Sequence, residues 1–161
     1  MLNRNKNLLV HTTILYFCIH MKEKTSPYCH CLYYSANALS RLITKISDEE
    51  FAATGLTSSS AFIMMTVNNH PGISPKEISE IMLLTPSTVT RLLDKLAHSG
   101  LLTREQKGKN IFISPTPSGR ELHQKIKDSW KRLYERYTSV IGEDQARKLT
   151  ALLTEAYAKL S

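Results

Sequence analysis

The segment from Ser74 to Gly119 permits few folds, because two helix starts stand in it almost back to back. Ser74-Pro75-Lys76-Glu77 supplies a capping hydroxyl, a proline where the missing N–H is harmless, and a glutamate placed to close a capping box. Thr85-Pro86 repeats the cap-plus-proline start before the first helix has room for more than two or three turns. A short helix followed at once by another predicts a helix-turn-helix.

The second of these helices fixes its own orientation. Val89, Leu92, Leu93 and Leu96 fall at i, i+3, i+4 and i+7, and Gly100 is a natural C′ residue. Ser87, Thr88, Thr90, Arg91, Asp94 and Lys95 are therefore expected to point away from the core. On the Ser74 helix, Ile78, Ile81 and Met82 are the predicted buried set. After Gly100 the period changes. Residues 101–106 and 110–114 flank Lys107-Gly108-Lys109, which predicts a β-hairpin with a short basic tip.

The flanks read as helices. Leu32, Ala36, Leu39, Ile43 and Ile46 recur at three- and four-residue steps, and Asp48-Glu49-Glu50 with Gly55 predicts a loop after them. Thr57 is the expected cap of a helix carrying Phe62, Met65 and Val67, which stops at His70-Pro71-Gly72. Thr116-Pro117 opens a long helix with Leu122, Ile126, Leu133, Tyr137 and Val140 near heptad spacing. Gly142 breaks it, and a last helix carries Leu149, Leu152, Leu153, Ala156 and Leu160. The end helices are read either as packing on their own domain or as associating with a second subunit, and the near-heptad run gives support to the second.

Net charge is +7, which favours a polyanionic partner. Between Arg91 and Arg136 eleven Lys/Arg stand against five Asp/Glu, so the excess surrounds the helix-turn-helix. That combination points to double-stranded DNA. Thr85, Pro86, Ser87, Thr88, Thr90 and Arg91 occupy the end of a recognition helix that enters the major groove. Arg91 has the fork to pair with guanine, and Lys95, one turn later, meets phosphate. Lys107 and Lys109 are expected to bring charge to the neighbouring minor groove or its phosphates rather than to read bases.

These residues resemble the multiple-antibiotic-resistance regulator (MarR) family. The resemblance lies in Leu56-Thr57, in the phrase from Ser87 to Leu96, in Gly100-Leu101, in the hairpin, and in Thr116 with Gly119; Arg41, Thr44 and Lys45 extend it over about residues 29–160. It implies a mainly α fold: a winged helix-turn-helix with a small β-hairpin wing and N- and C-terminal dimerisation helices. It implies a homodimer that regulates transcription, most often as a repressor, at pseudo-palindromic sites, with release by a small amphipathic or phenolic effector. The chain departs from the family where an Asp-x-Arg wing motif is replaced by Lys107-Gly108-Lys109 in a wing about three residues shorter, where a usual Gln is Ser60, and where Pro115 replaces a Leu.

The expected layout is residues 21–55 as the N-terminal dimerisation helix, 56–115 as the winged helix-turn-helix, and 116–161 as the C-terminal dimerisation helices. Residues 1–20 are read as a misassigned translation start or a poorly ordered extension. Their apolar run, Leu8–Ile19, is too short to span a bilayer and lacks a small-residue cleavage site, so no membrane partner is expected.

Cys18, Cys29 and Cys31 form no disulfide framework, and a reducing cytoplasm is the expected location. Some relatives sense peroxide through a cysteine at the first helix; Cys31 lies two residues from that place, occupied here by Tyr33, and is the candidate redox residue. Cys29-His30-Cys31 lacks zinc-site spacing, so no metal or other cofactor is expected. Tyr33, Tyr34, Met64 and Met65 are candidate pocket residues or plain core. His98 and His123 are expected at the surface, and no catalytic motif marks an enzyme. The competing reading is a winged-helix protein-interaction module with weak DNA reading.

Overall fold

The computed structural model describes residues 26–161; the expectations for residues 1–20 and for Cys18 lie outside them. The described residues divide into two compact units, 26–44 and 45–161. In the first, a turn at 27–30 leads into α1 (Leu32–Phe51), and the Ser35 hydroxyl donates to the Cys29 carbonyl at 3.0 Å. The Tyr28 and Tyr34 rings lie 5.8 Å apart, and Tyr33 is exposed.

In the second unit, α1 does not break at the acidic run. Ser47 and Phe51 continue its buried stripe, so the helix runs through Asp48, Glu49 and Glu50 and ends in a 3-10 turn, Ala52–Thr54. The loop expected at 48–50 is thus a helical turn. Its carboxylates have partners on a distant helix: Arg136 pairs with Glu49 at 2.7 Å and Glu50 at 2.9 Å, and Arg132 with Glu50 at 3.4 Å.

Then come α2 (Ser58–Asn69), α3 (Pro75–Met82), α4 (Pro86–His98), β1 (Leu102–Lys107), β2 (Asn110–Pro115), α5 (Pro117–Ile141) and α6 (Glu143–Leu160). Thr57 precedes α2 but does not cap it with its side chain. Asp48 does that work instead, its Oδ1 accepting from the Ser58 N–H at 2.8 Å and from the Ser58 hydroxyl. The caps read at Ser74, Thr85 and Thr116 are all made by those side chains, and Ser74 closes its capping box with Glu77. The Ser74 hydroxyl and backbone N–H both donate to the Glu77 carboxylate, at 2.6 and 2.9 Å, and hold its pKa below the ordinary value.

One core joins every element from the end of α1 to α5. Phe51, Ile63, Met64, Val67, Ile78, Val89, Leu93, Leu96, Ile113 and Ile126 are all fully buried or nearly so. Burying side chains of this size contributes about 1.5–3 kcal/mol each. On α2 the deepest residues are Ile63, Met64 and Val67, while Phe62 and Met65 pack at the edge. Met64 is thereby core rather than pocket wall.

Gly119 lets α5 approach this core: a Cβ there would lie 2.0 Å from the Leu101 carbonyl oxygen. The proximal part of α5 buries Ile126, Ser129 and Leu133 in its own chain, whereas Val140 is 81% exposed. The near-heptad run is consequently split between an intramolecular core and a bare end. Along α6 only Ala146 is buried, and Leu149, Leu152, Leu153, Tyr157 and Leu160 all lie exposed. His123 is half-buried rather than exposed as expected, its Nδ1 without a hydrogen-bond partner among the described residues; burial, with a smaller contribution from Lys127, pushes its pKa down.

Candidate nucleic-acid interface

The two helices of the reading head meet at a turn built around Leu83. Leu83 adopts φ 52° and ψ 40°, the left-handed conformation that glycine usually takes at a helix end. The Ser79 hydroxyl donates to the Leu84 carbonyl, and the Leu84 N–H to the Ser79 carbonyl at 3.1 Å. This wrapping swings α4 out of the line of α3. Of the expected buried set on α3, Ile78 is fully buried and Met82 partly. Ile81 is 55% exposed, at the margin of a stripe whose centre is Ile78.

Thr85 opens α4. Its Oγ1 accepts from the Thr88 N–H at 3.4 Å and lies 2.9 Å from the Thr88 hydroxyl and 3.2 Å from that of Ser87. Pro86 holds the first helical position. Val89, Leu93 and Leu96 bury one side of the helix, with Leu92 at the edge. Thr85, Pro86, Ser87, Thr90, Arg91, Asp94 and Lys95 are exposed, whereas Thr88 is half-buried beneath the cap. Ser87, Arg91 and Lys95 stand at four-residue steps and so form one ridge. Thr90 is less free than its exposure suggests, because its hydroxyl donates to the Pro86 carbonyl at 2.9 Å; its lone pairs remain available to accept.

The hairpin follows directly. Leu102 pairs with Pro115 and each step continues to Lys107 opposite Asn110, leaving Gly108-Lys109 as a two-residue turn. Lys107 thus belongs to the strand rather than the tip. Gly108 has φ 62°, the II′ pattern with glycine first. Beside the pair, Ile73 bridges Ile113 and anchors the wing's base to the chain before α3.

The two wing lysines differ in their surroundings. Lys107 Nζ is 3.1 Å from Glu105 and 5.7 Å from the centre of the Phe112 ring, so part of its charge is already matched. Lys109 is exposed and makes no ion pair among the described residues. Pro115, the departure at the end of the wing, is buried, and its carbonyl accepts from Arg120 at 2.8 Å.

Sequence reading passed over Arg104. Its guanidinium lies 2.7 Å from the Asp94 carboxylate of α4 and 3.5 Å from the Thr90 carbonyl oxygen. The alternation of β1 held a hint, since Leu102 is buried and Arg104 shares its face.

Cys31 is exposed and Cys29 partly buried, both as free thiols. Among the described residues, no group of three His, Cys, Asp or Glu side chains could hold a metal ion, and no helix is long and apolar enough to cross a membrane.

Residues 56–110 match the model of the MarR family. The chain is 29% identical over 128 residues to the HTH-type transcriptional repressor MdtR of Bacillus subtilis (strain 168), covering 76% of this chain and 83% of that protein. Among solved structures it resembles the transcriptional repressor CouR bound to a 23-mer DNA duplex, with a TM-score of 0.75, 19% identity, and coverage of 85% of this chain and 99% of that one. It also resembles CouR from Rhodococcus jostii RHA1 bound to p-coumaroyl-CoA, with a TM-score of 0.69, 20% identity, and coverage of 82% and 95%. At such identities the two structures speak for the fold.

Proposed function

We propose, from the membership of residues 56–110 in the MarR family, that this chain is a DNA-binding transcriptional regulator acting as a homodimer on pseudo-palindromic operators. The observation that carries this reading is the division of α4, whose apolar side is locked into the core while Ser87, Arg91 and Lys95 form an exposed ridge beside a basic hairpin. Ser87, with Thr85, Thr88 and Thr90 around it, supplies hydroxyls for base edges or phosphates, and Pro86 sets the start of the helix. Arg91 pairs with a base, and Lys95 with phosphate. Lys109, and more weakly Lys107, adds charge from the wing.

Repression is the favoured direction, supported by the likeness to MdtR. The homodimer is supported by the exposed stripe of Leu149, Leu152, Leu153, Tyr157 and Leu160 on α6, too much apolar surface on one helix to face water alone. Two-fold symmetry then sets two reading helices one DNA turn apart, about 34–36 Å. A small amphipathic or phenolic effector releases the operator, a reading supported by the p-coumaroyl-CoA complex of CouR. The protein works in the cytoplasm, without catalysis.

Selection of bound duplexes from random DNA, followed by titration of Arg91→Ala, tests this. The substitution is expected to cost ~1–3 kcal/mol on the selected site if Arg91 reads a base. Unchanged binding would sink the role given to Arg91, and a wild-type chain that selects no duplex would leave the winged helix as a protein-interaction module.

A further inference from the structure

We infer that Arg104 is a positioning residue for DNA recognition, holding the single carboxylate of the reading helix neutralised and tying that helix to the wing. The inference rests on the DNA-binding reading above. Asp94 is the only acidic residue of α4, and it stands between Arg91 and Lys95 on the exposed side with its own side chain 60% exposed. A free carboxylate there would face a phosphate backbone at close range, where like charges repel strongly.

Arg104 answers it from the first strand of the wing. Its side chain is 33% exposed, its Nη1 lies 2.7 Å from Asp94 Oδ1, and its Nη2 is 3.5 Å from the Thr90 carbonyl oxygen. One guanidinium thus spans two residues a helical turn apart on α4 while rooted in β1. A planar fork can do this and an ammonium cannot. The position also answers the altered tip. Lys107 is partly matched by Glu105, and no acidic residue occupies the turn, so the wing is held to the reading helix at its base rather than braced at its end.

The full-length chain can be titrated by fluorescence anisotropy on a duplex recovered from random-sequence selection, using Arg104→Ala, Arg104→Lys, Asp94→Asn and the double variant Arg104→Ala/Asp94→Asn. Arg104→Ala is expected to weaken the specific complex ~10-fold or more, because it leaves a carboxylate bare against phosphate. Asp94→Asn in that background restores affinity to within about threefold of wild type. Arg104→Lys falls between, and the salt slope of Arg104→Ala equals that of wild type.

Three results overturn the inference. The first is Arg104→Ala binding as wild type does. The second is losses that add in the double variant while the salt slope of Arg104→Ala falls by about one, which marks Arg104 as a phosphate contact. The third is a loss of binding that tracks a lowered urea midpoint and is not relieved by Asp94→Asn, which marks a structural role only. A wild-type chain that selects no duplex overturns the DNA-binding reading and this inference together.

Discussion

Gly119→Ala offers a stability test whose sign runs against helix propensity. Alanine is the better helix former by about 1 kcal/mol, and Gly119 lies in the first turn of α5 without a positive φ. By local rules the substitution should stabilise. The surroundings reverse this, since the new methyl would sit 2.0 Å from the Leu101 carbonyl oxygen and 2.9 Å from Met64 Cε. Carbon and oxygen come to rest no closer than about 3.3 Å, so something must move by more than an ångström.

The methionine end can yield; the carbonyl cannot do so cheaply. Leu101 O accepts from the Thr116 N–H at 3.1 Å, the Gly100 carbonyl accepts from the Thr116 hydroxyl at 2.7 Å, and Asn68 Nδ2 donates to the Gly119 carbonyl at 3.1 Å. Sliding α5 outward strains all three. Overpacking of this kind costs about 1–3 kcal/mol, and losing the Leu101–Thr116 bond about 1 more. Against a gain of about 1 kcal/mol from propensity, the net expectation is about 1–3 kcal/mol of destabilisation. In urea, at fixed protein concentration, the midpoint should fall by roughly 0.5–1.5 M for a slope of about 2 kcal/mol/M. Gly108→Ala is the control, strained at φ 62° but with nothing within 4 Å of the added carbon. An unchanged or raised midpoint for Gly119→Ala, with an unchanged slope, would refute the close-approach argument.

Three other outcomes follow from named residues. His123 has its pKa lowered by burial, so stability is expected to fall as the pH drops through the ordinary imidazole value of about 6.5 and to level off once the folded form protonates. Urea midpoints at pH 7.5 and 5.5 should differ less in His123→Gln than in wild type, and equal differences would dismiss the residue as a contributor. Leu83→Val places a β-branched side chain in the left-handed region and should cost more than ~1 kcal/mol although the site is 61% exposed, whereas Leu83→Gly should stay within ~1 kcal/mol of wild type; thermal melts of both, ranked the other way, would contradict this. Lys109→Ala is expected to weaken DNA binding alike across sequences and to reduce the salt slope by about one, which titrations at several salt concentrations would show.

What the sequence made legible was short in range. The caps at Ser74, Thr85 and Thr116 each bond a backbone N–H three residues on, so spacing alone revealed them. The stripe of α4 was equally local. The features that escaped bridge longer stretches of chain. Asp48 caps α2 from ten residues away, the acidic run stays helical against arginines more than eighty residues later, and Arg104 meets Asp94 only once the hairpin has folded back. Ile81 departs for another reason: the helical pattern marks apolar residues but not the width of the stripe that is buried, and on this short helix only Ile78 is fully covered. In the interface, residue types were readable while their availability was not. Thr88 and Lys107 carry the expected groups but are partly taken up by Thr85 and by Glu105 with Phe112.

The two-residue turn of the wing bears on the heat and timing of binding. From Leu102 to Pro115 only Gly108 and Lys109 lie outside the ladder, and Gln106 Nε2 donates to the Gly108 carbonyl at 3.2 Å, so even the turn is tethered. A longer, slack wing would have to be stilled as it entered a groove, at an entropic cost on every encounter. This one is a stiff peg that meets the duplex with its shape already set, leaving little beyond the Lys109 side chain to be ordered. Its share of the binding entropy should accordingly come from released counterions rather than from chain that had to be quieted.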